Sequence, residues 1–145
     1  KNVKKEVRKE YEIKSKDVGE TLQVTKANRS SLGAEVRSQG ELIPLDRFKV
    51  SPKTVNPKRK SPIKVAVKKD GLKKVMGAFV LDINGKKVFE RTGESRLPIR
   101  RLFGPSVPQM INNEAVHEEI HAQGQETFEN RLDHEINRIL NRGRG

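Results

Sequence analysis

Cysteine is absent from this 145-residue sequence, and so is tryptophan. Without a thiol, disulfide staples, thiolate nucleophiles and Cys-type zinc sites are excluded, and with them the small secreted disulfide scaffolds. Apolar residues make up only 32% of the chain and charged residues 34%, which predicts a thin core, long polar excursions and a stability that depends on neighbours. No apolar run approaches the roughly 20 residues that span a bilayer, and no signal-peptide core is visible. A soluble protein made in the cytoplasm, without membrane contact, is expected. The length suits one domain with a single modest core.

What the chain has in excess is positive charge, and it is unevenly placed. Of the formal net charge of +12, residues 1–75 carry all, with 21 Lys and Arg against 9 Asp and Glu, while residues 76–145 carry 10 of each. Such a basic half suits contact with an acidic protein surface or a nucleic acid; it also suits a solvated face that keeps the chain in solution. Base-specific readout is disfavoured, because the basic half offers only Tyr11 and Phe48 for stacking and no recognition-helix or RNA-binding signature.

Val3, Val7 and Tyr11 recur every four residues among Lys and Glu, which predicts an amphipathic helix over residues 2–13. A second short helix is expected from an N-cap at Ser15, with Val18, Leu22 and Val24 inward and an end near Asn28 to Ser31, forming a helical hairpin with the first. Ala34 to Arg37 and Glu41 to Ile43 alternate as a weak or edge strand pair. Residues 49–62, with Pro52, Pro57 and Pro62 around Lys58, Arg59 and Lys60, read as an exposed loop. That tribasic cluster fits a polyanion patch or an import address, although a solvated arm is the preferred reading. Ile63, Val65 and Val67 alternate with lysines, and Ala78 to Ile83 and Lys87 to Thr92 flank Asn84-Gly85, the preferred type I′ hairpin turn. From Pro108 to Leu140 one long helix is expected. Its apolar stripe of Val116, Ile120, Phe128, Leu132, Ile136 and Leu140 would lie across a sheet in the middle and leave the ends for partners.

His117-Glu118-Glu119-Ile120-His121 matches the H-E-x-x-H pattern of zinc peptidases, and Gly124 stands where the extended pattern wants glycine. A catalytic zinc needs three protein ligands and an open position, but the extended pattern's third histidine is replaced by Thr127. His134 lies 13 residues further along the same helix, about 20 Å away. The pattern is therefore read as a charged helix face. No serine, histidine and aspartate arrangement and no phosphate-binding glycine loop stands out, so no enzyme, cofactor or metal site is expected.

The segment Leu97-Pro98-Ile99-Arg100-Arg101-Leu102-Phe103-Gly104-Pro105-Ser106-Val107-Pro108 is built from residues that fix shape. Three prolines restrict φ and remove donors, and Gly104 is expected to take a left-handed conformation in a rigid crossing ahead of the helix. Arg100 and Arg101 either grip an acidic neighbour or solvate the turn. With Gly77-Ala78-Phe79-Val80 before it, this Leu-Pro-Ile turn and Gly-Pro-Ser-Val-Pro loop resembles the tailed-phage minor tail protein Z family. The likeness is good over residues 62–141 and rests on general pattern before that. Family members begin with a further helical segment, whereas this chain opens at Lys1 within a helix-like pattern, so an upstream segment is expected.

The residues therefore predict an α+β fold in one domain, 1–145. It comprises a helical segment (1–31), a small, mainly antiparallel sheet with a basic loop (33–95), and a turn with a long carboxy-terminal helix packed on the sheet (96–145). The resemblance implies a structural virion protein of the tail or neck, made in a bacterial host, that completes the tail and joins it to the head as a ring. Six copies, contacts with tail terminator, tube and head-connector proteins, and non-specific contact with packaged DNA follow from it as expectations. The expected assembly surface is Leu97, Pro98, Ile99, Arg100, Arg101, Phe103, Gly104, Pro105, Ser106 and Pro108, with basic contact through Lys58, Arg59 and Lys60. The rival expectation is a nucleic-acid-binding accessory protein that uses the basic half.

Overall fold

A computed structural model describes residues 2–144. In chain order the elements are α1 (Asn2–Glu10), α2 (Ser15–Glu20), β1 (Leu22–Thr25), β2 (Glu35–Ser38), β3 (Leu42–Pro44), a 3₁₀ turn (Leu45–Arg47) and β4 (Lys49–Ser51). There follow β5 (Ile63–Ala66), β6 (Lys73–Val75), β7 (Ala78–Asp82), β8 (Lys86–Arg91), β9 (Ile99–Arg101), β10 (Phe103–Ser106), α3 (Val107–Ile111) and α4 (Glu114–Arg142). The α+β class and the antiparallel pairing agree with the sequence, but the strands form four small sheets rather than one. These are β1-β2, β10-β3, β4-β5-β6 and β7-β8-β9.

One core joins them. Val7, Tyr11 and Val18 from the first two helices meet Ile43, Leu45 and Phe48 around the 3₁₀ turn, Ile63 and Val65 of β5, Val80 and Val88 of the β7-β8 hairpin, and Val107, Met110 and Val116 from the carboxy-terminal helices. Val7 of α1 and Ile63 and Val65 of β5 are inward as their periodicities mark, but Glu6 and Ala66, which those patterns do not mark, are buried as well. In the β7-β8 hairpin Phe79 faces Phe89 and Val80 faces Val88, and Asn84 and Gly85 both have positive φ, as an Asn-Gly turn requires. Asp82 pairs with Lys86, so the turn holds three residues, Ile83 to Gly85, one more than the two-residue I′ turn.

Several boundaries differ from the sequence reading, each for a local reason. The second helix stops at Glu20, because Thr21 turns both its amide and its hydroxyl onto the Val18 carbonyl, at 3.3 and 2.9 Å. Beyond it Leu22–Thr25, with two β-branched residues among four, is extended and pairs with β2. Its cap position is Lys14, with Ser15 already helical. The expected pairing of residues 34–37 with 41–43 is replaced by β1-β2 and β10-β3. Lys49–Ser51, expected in the basic loop, is a strand on β5, so the loop proper starts at Pro52.

The long helix is interrupted. Asn112 caps α3, and Asn113 adopts an extended conformation as the N-cap of α4, with its carbonyl accepting from the His117 amide at 2.8 Å. The middle of α4 does not lie across a sheet: Val116 and Ile120 seat its front end on the shared core beside α1, and every residue from Gly124 to Arg144 is exposed.

Candidate assembly surface

The segment from Leu97 to Pro108 is a relay between two sheets rather than an irregular crossing. Ile99, Arg100 and Arg101 pair with Arg91, Glu90 and Phe89 of β8, and Phe103 and Ser106 pair with Pro44 and Leu42 of β3 across an irregular register. Leu102 is the point of transfer. Its amide donates to the Val88 carbonyl at 3.0 Å, and its own carbonyl accepts from the Leu45 amide at 2.9 Å. A residue bonded to both neighbours on its two backbone faces holds the hairpin in a fixed attitude to β3 and the 3₁₀ turn. The peptide bond before Pro98 is cis.

Gly104 has no positive φ; the expectation of a left-handed glycine is corrected here. Its backbone passes against the Phe48 ring, and a Cβ would stand 2.6 Å from Phe48 Cε2, so close approach and not turning is what excludes a side chain. Ser106 begins α3 with a capping box. The Gln109 side chain accepts from the Ser106 amide at 2.9 Å, and the Gln109 amide donates to Ser106 Oγ at 3.4 Å. Pro108 in the first turn sacrifices no helical bond, and Val107 and Met110 drop into the core.

Both arginines grip carboxylates of their own chain. Arg101 donates to both oxygens of Asp46, at 2.9 and 3.1 Å, from a partly buried position, and Arg100 reaches the cross-strand Glu90. The Arg101 guanidinium also lies over the Phe103 ring, 5.9 Å from its centroid. Leu97, Pro98, Arg100 and Phe103 are exposed along one course of the relay, Ile99, Arg101, Gly104, Pro105 and Pro108 are half-buried, and Ser106 is buried. Asp46 and Phe48, which fix the relay from below, carry no local sequence signal of that role. The capping box did carry one, Ser followed three residues later by Gln.

In the basic loop Lys58 and Lys60 are exposed, whereas Arg59 folds back to donate to the Thr54 carbonyl at 3.0 Å and hydroxyl at 2.8 Å. The tribasic cluster therefore presents two outward charges and one that braces the loop. His117 and His121 stack on the exposed side of α4 with ring centroids 6.4 Å apart. Among the described residues no three His, Asp or Glu side chains are grouped to hold a metal ion.

Glu6 was not singled out by the sequence, yet it is the largest buried charge of the described residues, 2% exposed. It accepts from Gln123 of α4 at 2.9 Å and pairs with Lys9 at 2.6 Å, so it ties the first helix to the last. Burial pushes its pKa up, but the Lys9 and Gln123 hydrogen bonds and the charges of Lys9 and Lys5 outweigh that and hold it below the ordinary value.

A second exposed surface is apolar. Past Gln123, α4 shows Phe128, Leu132, Ile136, Ile139 and Leu140 to solvent, and on the body Phe103, Leu42 and Leu97 are exposed as well. Apolar area of this extent on a chain with so thin a core is the usual mark of contact with other proteins. Among the described residues no helix is long and apolar enough to cross a membrane. The family model described as Prophage minor tail protein Z (GPZ) matches residues 1–143 of the chain. No curated protein and no solved structure matches it.

Proposed function

The chain belongs to the prophage minor tail protein Z family, and from that premise we propose that this phage tail protein completes the tail at its head-proximal end and joins it to the head. A minor tail protein is a structural part of the virion, and the finer role rests on the character of its surfaces. The single observation that carries it is the amount of large apolar side chain left exposed on a small body: Phe103 and Leu97 on the relay and five residues of α4. Complementary contact between copies, and between their ring and its neighbours, would cover these faces, and closed rotational symmetry would set the copy number, with six as the working value. A thin protomer core gains stability from such contacts.

The role is structural and has no catalytic step in it. Complementation of a phage that lacks this gene, with counting of head-tail joined particles, tests the reading. Joined particles in normal numbers without the protein would refute it.

A second reading, non-specific contact with nucleic acid, draws on the basic half and on the outward Lys58 and Lys60. Neutralised phosphates release counterions, so binding to duplex DNA would weaken steeply with salt. A flat salt dependence would leave a protein partner or a solvated face as the use of that charge.

A further inference from the structure

The exposed stripe of α4 faces away from the body that carries it. With 3.6 residues per turn, each residue advances about 100° around the helix axis. Val116, Ile120 and Gln123, the residues that meet the core and Glu6, cluster within about 60° of arc on that count. Phe128, Leu132, Ile136, Ile139 and Leu140 occupy an arc about 120° wide whose centre lies about 180° from the first cluster. A single unbroken helix therefore directs one face at its own body and the opposite face, further along, into solvent. Phe128 is 66% and Ile139 65% exposed, in a stretch of which every residue from Gly124 to Arg144 is exposed, so the body does not cover them.

The flanks of that arc carry opposite charges. On one side Glu126 and Asp133 lie within about 40° of its edge, with Glu129 just inside that edge beside Leu140; on the other, Arg142, Arg131 and Arg138 lie about 40–80° beyond the edge, with Glu135 nearer the arc and bound to Arg138 at 2.6 Å. Two such helices set antiparallel about a two-fold axis would bring like flanks together, acid on acid and base on base. Set parallel, side by side, the acidic flank of one meets the basic flank of the next, while the apolar arcs close on a common axis. This pattern repeats from copy to copy without a special first or last member, as a cyclic arrangement requires.

We propose that the distal half of α4, from Gly124 to Arg142, docks in parallel against the same segment of other copies of this chain, burying the Phe128 to Leu140 arc between oppositely charged flanks. The proposal rests on the reading that copies of this protein assemble with one another, and it names the surface by which they do so. α4 is then the assembly's shared stem, and the relay and basic half are left free for other partners.

The test is sedimentation velocity of the purified chain at rising concentration, on wild type and on two flank variants. One carries Glu126→Arg, Glu129→Arg and Asp133→Arg; the other carries Arg131→Glu, Arg138→Glu and Arg142→Glu. Arg and Glu have similar helix propensity, and circular dichroism confirms that the helix is retained. The wild type is expected to form oligomers, each variant alone to remain monomeric, and an equimolar mixture of the two to assemble again. Phe128→Ser with Ile136→Ser is expected to abolish assembly of the otherwise wild-type chain. Oligomers that ignore all these changes would overturn the α4 surface and leave self-assembly standing. A mixture that fails to assemble would overturn the parallel arrangement. A wild type that is monomeric throughout would overturn the proposal altogether, whereas failure of the head-tail role shows separately, in the complementation count.

Discussion

The edge of the Phe48 ring occupies the space into which a side chain at Gly104 would project, with Cε2 2.6 Å from the position of a Cβ. Phe48 is buried in the core and cannot retreat freely, so Gly104→Val is expected to cost about 1–3 kcal/mol by overpacking. Arg100→Ala, at an exposed cross-strand pair, should stay within about 0.5 kcal/mol. Urea unfolding of both variants checks the order, and Phe48→Leu should recover part of the Gly104→Val loss if the ring is the obstacle. The same ranking is expected in joined-particle yield, and equal, near-normal yields from the two would show that the relay's shape does not matter for assembly.

Arg101 and Asp46 form the relay's strongest polar tie, and its value lies in the planar fork. Arg101→Lys keeps the charge but loses the Nε arm of the fork, 3.2 Å from Asp46 Oδ1 beside the Nη2 bonds, and the contact over Phe103, and should cost about 1 kcal/mol. Asp46→Ala leaves a half-buried guanidinium without its acceptor and should cost about 1–3 kcal/mol. A double-mutant cycle that shows no coupling between the two positions would contradict this assignment.

Glu6 makes stability depend on acid. Its folded pKa is depressed, so its contribution is fully present above the ordinary carboxylate value of 4.5 and is lost as pH falls through the lower folded value. Thermal melts from pH 7 down to 3 should show this loss. Glu6→Gln is expected to lower the melting temperature at pH 7 and to flatten the curve below about pH 4.5. An unchanged slope in the variant would assign the acid sensitivity elsewhere.

His117→Ala with His121→Ala should leave folding and particle joining intact, since both rings are exposed and make contact chiefly with each other. Elemental analysis of the purified protein is expected to find no stoichiometric zinc. One zinc per chain, lost in the double variant, would reverse that reading.

The loop from Pro52 to Pro62 should exchange its amides rapidly in a monomer, because its residues are almost all exposed and its bonds are local, such as Arg59 to Thr54. Hydrogen exchange on a chain shown to be monomeric measures this, and strong protection across the loop is the adverse result.

Local chemistry was readable in the sequence and distant contact was not. The Asn84-Gly85 hairpin, Val7 of α1, Ile63 and Val65 of β5, and the helix after Pro108 follow from turn preference and periodicity, which act within a few residues. Leu22 stands four residues from Val18 and so fits a helical stripe, and only its pairing with Ser38 makes it a strand residue. The Gly104 and Phe48 approach joins residues 56 positions apart, and the Glu6 bond to Gln123 joins residues 117 apart; neither partner has a neighbour that announces it. In the relay, the residue types showed rigidity, but not that Leu102 would divide its two backbone bonds between Val88 and Leu45. The apolar stripe of α4 was visible in the sequence, yet where it faces depends on the break at Asn112 and Asn113.

The tie between Glu6 and Gln123 also bears on the order of events during synthesis. α1 is made well before α4, and its buried carboxylate has no Gln123 to meet until more than a hundred further residues have been translated. Pairings such as β7 with β8 are local and can form early, while the closure of α1 against α4 is a late step whose loop spans most of the sequence. Until then Glu6 can be neutralised only by near neighbours such as Lys9, so its burial against α4 comes after the local pairings are in place.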